Sequence, residues 1–123
     1  MNAEHWLIGP QLIGVILFVI GITTKCFPPR RVNHWYGYRM PSSMENQQKW
    51  DEANCYSSKL MVKIGVVLVV IGLAVNLLLS ASDISEHIRS GIFILLTIIA
   101  SGGSAVMVIL LTEKHLERKF DKH

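Results

Sequence analysis

NHWYGYRMPSSMENQQKWDEANCYSS, residues 33–58, is the one long polar segment of the chain, and it lies between apolar runs. It gathers Trp35, Trp50, all three tyrosines, Arg39, Pro41 and three asparagines. A plain connector would be shorter and richer in Gly, Ser or Lys, so the rest of the chain reads as built to present this stretch. Outward from it, charges almost vanish from three windows. Only 17% of the 123 residues are charged and 50% are apolar, well below the roughly 25% charged of soluble domains. Segregated charge of this kind indicates a polytopic membrane protein. A net charge of +3 gives no reason to expect a nucleic-acid partner.

The windows define the spans. Residues 7–24 form the first, with Gln11 its strongly polar residue and Pro10 in the first helical turn, where a missing N–H costs nothing. A signal peptide is the rival reading, but the basic n-region and a small-residue cleavage site are missing, so the segment is expected to be retained. Residues 60–79 form the second span, with Lys63 near its start and Asn76 near its end. Residues 91–111 form the third, centred on small residues at 100–105. Gly14 and Gly21 share one face, as do Gly65 and Gly72, so each pair offers a place for another helix to approach closely.

Between the first two spans, residues 25–59 form the signature loop, and Pro28-Pro29 ends the first helix. Ser42 with Glu45 reads as a capping box opening a short amphipathic helix that leads, with or without a bend, into the second span. The fold expected is all-α: three transmembrane helices in a single domain over 1–123, with a cytoplasmic amphipathic helix between the first and second. Lysines and arginines set the orientation. The N-terminal segment has none, the signature loop has Lys25, Arg30, Arg31, Arg39, Lys49 and Lys59, the second turn only Arg89, and the tail Lys114, Arg118, Lys119 and Lys122. The N-terminus is therefore placed outside and the loop and tail in the cytoplasm, with the tail anchored on anionic lipid. Cys26 and Cys55 then face a reducing compartment and stay unpaired.

Gly37 allows a turn in which Tyr36, Tyr38 and Arg39 converge, and Trp50 and Asn54, four residues apart, could close over it. Arg39 there could grip a carboxylate or a lipid phosphate bidentately, or pair with Asp51 or Glu52 and pin the loop at the interface. Both readings stay open. Cys26, His34 and Cys55 lack paired ligand spacing, so no metal and no cofactor is expected. Ser42 or Ser43 with His34 and Asp51 offers the residues of a triad but no nucleophile elbow, so no enzyme is expected. Gln11 and Asn76 sit at similar depth in antiparallel spans, and pairing with each other would satisfy both amides.

Asn33, Tyr36-Gly37-Tyr38-Arg39, Pro41, Ser43-Met44, Trp50 and Ala53-Asn54 together resemble the signature of the SdpI family of small bacterial membrane proteins. Met40 and Cys55 depart from that pattern, where Thr and a basic residue are usual. The resemblance implies a binding role for Asn33, Tyr36, Gly37, Tyr38, Arg39, Pro41, Ser43, Trp50 and Asn54. It also implies an inner-membrane protein conferring immunity to a toxin peptide, with signalling through a regulatory protein in some members. The alternative is a scaffold or accessory subunit holding a partner or lipid. Neither reading names the ligand or the oligomeric state.

Overall fold

The computed structural model describes residues 9–33 and 35–120 as three helices, with no strand among them: α1 (Pro10–Cys26), α2 (Gln47–Ser80) and α3 (Glu86–Phe120). The all-helical expectation holds. Pro10 opens α1, and the helix closes where the Phe27 N–H donates to Thr23 O at 2.8 Å before Pro28-Pro29.

The helix expected to lead into the second span joins it without a bend, because α2 runs unbroken for 34 residues from Gln47. One expectation is corrected: Ser42 does not cap it. Asn46 is the cap, its Oδ1 accepting from the Lys49 N–H at 2.8 Å, while Glu45 pairs with Lys49 Nζ at 2.6 Å. An asparagine at this position satisfies one of the orphan amides of the first turn as well as a serine would.

α1 packs antiparallel on α2 through glycines. A Cβ at Gly14 would stand 2.6 Å from Gly65 O, one at Gly21 2.9 Å from Ser58 O, and one at Gly72 2.5 Å from the Gln11 backbone nitrogen. None of these positions has room for a methyl group, which is how the two backbones come so close. α3 packs far more loosely, and Gly91, Gly102 and Gly103 each have nothing within 4 Å of a built Cβ. Arg89 closes the α2–α3 turn by donating through Nη2 to Leu79 O at 3.0 Å.

α2 and α3 are long and apolar enough to cross a membrane, whereas α1, with 17 described residues, is apolar and shorter. Little of the apolar surface of α2 and α3 is buried. Val70, Leu78, Ile98 and Leu110 are all more than half exposed. A core helix of a soluble protein would hide such side chains, so this exposure fits a membrane protein. Leu7 and Ile8, counted above in the first span, lie outside the described residues. The densest apolar packing is not at mid-helix but under the loop, where Tyr38, Ala53, Val108 and Leu116 cluster with Met40, Leu60, Met61 and Phe120 around them.

Candidate functional site

The loop is folded by its own side chains. Asn33 Oδ1 accepts from the Trp35 and Tyr36 N–H groups at 2.9 and 2.8 Å, turning the chain, and Asn33 Nδ2 donates to Arg31 O. Tyr36 reaches back to α1, its hydroxyl donating to Phe27 O at 2.7 Å. Gly37 follows with φ +99°, a left-handed conformation that favours glycine.

α2 clamps this turn from below. Asn54, 3% exposed, accepts from the Tyr38 N–H at 2.6 Å and donates to Trp50 O at 2.9 Å. Trp50 is fully buried, and its indole N–H donates to Pro29 O at 2.7 Å. Gln47 adds a bond to Arg30 O and another to Asp51 at 2.7 Å. Ser43, also fully buried, donates to Met40 O at 2.8 Å and bends the chain after Pro41. Asn54 thus sits against the Gly37 turn through Tyr38, while Trp50 fastens the chain before it at Pro29. Pro41 and Arg39 are exposed.

α3 supplies a third wall that sequence reasoning missed. The Glu113 carboxylate accepts from the Tyr38 hydroxyl at 2.7 Å and the Ser42 hydroxyl at 2.6 Å. Burial pushes the Tyr38 phenol well above its ordinary range, and the neighbouring carboxylate reinforces the shift. Nearby, Glu52 meets Lys119 at 2.8 Å and His115 at 2.7 Å, with Tyr56 stacked on the imidazole at 4.1 Å. The hydrogen bond from Lys119, then that from His115, holds the Glu52 carboxyl below its usual value. Lys119, read above as a lipid anchor, is therefore engaged within the protein. The signal was present: His115 and Lys119 lie four apart and so share a helix face.

Asp51 accepts from Gln47, and Ser42 donates to Glu113. His34 lies outside the described residues. Cys26 and Cys55 are free and exposed, and no group of three metal-ligating side chains occurs among the described residues. Gln11 and Asn76 are both buried against α1–α2 glycines, but Asn76 Nδ2 donates to Gly72 O at 3.0 Å, and Gln11 packs over that same glycine. They share Gly72 and do not bond each other.

What remains open is a cleft of about 600 Å³ between the loop and all three helices. Trp35, Tyr36 and Arg39 stand on the loop side, with Ile20 and Thr24 of α1, Met61 of α2 and Val108 and Ile109 of α3 opposite. The combination of aromatic faces, a guanidinium and an aliphatic floor suits an amphipathic ligand carrying an anionic group.

The model of the SdpI/YfhL protein family matches residues 30–112, which spans the loop, α2 and most of α3. The chain is 36% identical over 104 residues to the uncharacterized protein YfhL of Bacillus subtilis (strain 168), covering 85% of this chain and 82% of that one. No solved structure matches. With the family pattern covering two-thirds of its length and lying on the residues that lock the loop, the chain belongs to the SdpI/YfhL family.

Proposed function

We propose that this chain is a non-enzymatic bacterial inner-membrane protein that protects its cell from a membrane-active toxin peptide. Three helices cross the bilayer, with the N-terminus outside and both the loop and the α3 tail in the cytoplasm. The single observation carrying the reading is the open cleft of about 600 Å³ beneath the loop. Trp50, Asn54, Ser43 and Gly37 are committed to holding the loop in shape. Trp35, Tyr36 and Arg39 line the cleft from that held loop, and preorganised contact groups lose less entropy on binding.

The test is survival of a peptide-sensitive bacterium challenged with a panel of membrane-active peptides, with and without this protein. Raised survival against at least one peptide is expected, and Arg39→Ala should abolish it. Arg39→Lys should fail as well, because an ammonium lacks the planar fork of guanidinium. Full protection by Arg39→Lys at equal protein level removes the cleft's bidentate contact from the account. No protection against any peptide removes immunity.

A second reading, a scaffold or accessory subunit, is favoured by the ends of α2 and α3, which are tied together beyond the spans through Glu52, His115 and Lys119. Co-purification of a membrane-complex partner that survives loss of Arg39 would select it.

A further inference from the structure

A second cleft, of about 440 Å³, opens on the other side of the loop, between the end of α1 and the start of α2. Lys25, Arg30 and Lys59 all line it, one each from α1, the loop and α2. All three are exposed, and none of them makes an ion pair with a carboxylate among the described residues. The one acid in the wall, Asp51, accepts from the Gln47 amide at 2.7 Å. The wall's buried polar groups are satisfied internally, with Thr24 bonded to Ile20 O, Ser58 to Cys55 O, and Asn54 to Tyr38 and Trp50. The cleft therefore asks for charge, not for hydrogen bonds. Three cations against the one carboxylate of Asp51 leave the cleft with an excess of positive charge, which a bound anion would offset.

The level of the cleft says which anion. Lys25 is in the last turn of α1, and Lys59 immediately precedes the apolar run of α2. Both mark the border where hydrocarbon gives way to headgroups. Phe27, between Lys25 and the Pro28-Pro29 rim, is 73% exposed, an apolar contact suited to an acyl chain at that border. We propose that the Lys25–Arg30–Lys59 cleft binds the phosphate of an anionic phospholipid of the cytoplasmic leaflet. The proline pair fixes Arg30 on the rim, and its guanidinium can take two phosphate oxygens at once. The inference rests on the membrane placement above but not on toxin binding.

The experiment uses the full chain, delipidated in detergent and titrated with phosphatidylglycerol or phosphatidylcholine, with bound lipid counted by native mass spectrometry. Phosphatidylglycerol should bind at least about tenfold tighter. Lys25→Ala, Arg30→Ala and Lys59→Ala should each weaken it roughly fivefold, as expected for one interfacial cation, and the triple variant should lose the preference. Lys114→Ala/Arg118→Ala removes two exposed tail cations and should leave the preference intact. An equal loss in that control overturns the site in favour of diffuse surface charge, as does a single-variant series without effect. Displacement of the lipid by millimolar inorganic phosphate reassigns the cleft to free phosphate and overturns the lipid. Should the triple variant not fold, the single variants and Lys59→Glu decide. Protection from peptides plays no part in the readout, so either proposal can fall alone.

Discussion

At Gly37 a methyl group would stand 2.4 Å from Asn54 Oδ1 and 2.6 Å from Pro29 Cγ, on a backbone already at φ +99°. Both the conformation and the space therefore demand glycine. Gly37→Ala should cost about 1–3 kcal/mol of loop stability and loosen Tyr38 from Asn54. Increased hydrogen exchange at the Tyr38 amide would register it, and unchanged exchange would show that the loop has slack. Asn54→Leu removes the acceptor for that buried amide and should cost about 1–3 kcal/mol, read as a lower melting temperature in detergent. At this scale the sequence was informative about which residues matter and uninformative about what they do. Asn33, Gly37, Trp50 and Asn54 stand out by type, but Trp50 meets Pro29 across 21 positions and Tyr38 meets Glu113 across 75. No local pattern encodes contacts of that range.

Between elements, glycines separate two kinds of helix contact. A Cβ at Gly65 would stand 2.7 Å from Gly14 O, so Gly65→Ala should force α1 from α2 and cost about 1–3 kcal/mol. Gly102 faces open space, and Gly102→Ala should be neutral or stabilising by up to about 1 kcal/mol. Unfolding of both variants in a detergent titration checks the contrast, and equal behaviour would refute the packing difference. The Gly14/Gly21 and Gly65/Gly72 spacing made the α1–α2 seam legible, because the constraint repeats within each helix. The start of α2 was not legible, since the cap read at Ser42 lies at Asn46 and Ser42 is engaged instead by Glu113, 71 positions away.

The junction of α2 and α3 carries its own dependence on acid. The folded Glu52 carboxyl lies below its ordinary value of 4.5, so its contribution is fully present above that value. The contribution is lost as pH falls through the depressed one. Protection factors for amide exchange across residues 112–120, with the intrinsic pH dependence divided out, should therefore fall on moving from pH 7 to about pH 3, and Glu52→Gln should show the reduced protection already at pH 7. Insensitivity of the wild type to that change would mean that the Glu52 pair does not hold the two helices together.

For the whole molecule, placement in the bilayer is the decisive quantity. In a Cys26→Ser/Cys55→Ser background, an impermeant thiol reagent added outside intact cells should label Asp83→Cys and spare Asn46→Cys until the membrane is opened. The reverse labelling would put the loop outside and overturn the orientation. Composition made the apolar helices legible because hydropathy is a local property. It did not reveal that Phe93, Ser104, Val108, Thr112 and Leu116 are the buried residues of a loosely held α3, which depends on where that helix leans.

The unbroken course of α2 has a mechanical side. At about 1.5 Å per residue its 34 residues measure about 51 Å, against a hydrocarbon layer of about 30 Å. With α2 crossing the bilayer as proposed, roughly 20 Å of stiff rod would stand clear of it, without the hinge that a separate interfacial helix would have supplied. Helices accommodate the bilayer by changing tilt, and a change of about 10° would sweep the protruding tip through about 3–4 Å. Because Glu52 couples that tip to Lys119 and His115, α3 travels with it. In the proposed orientation, an event at membrane depth, such as a ligand seating itself or a change in lipid thickness, would thereby be geared into a displacement in the cytoplasm.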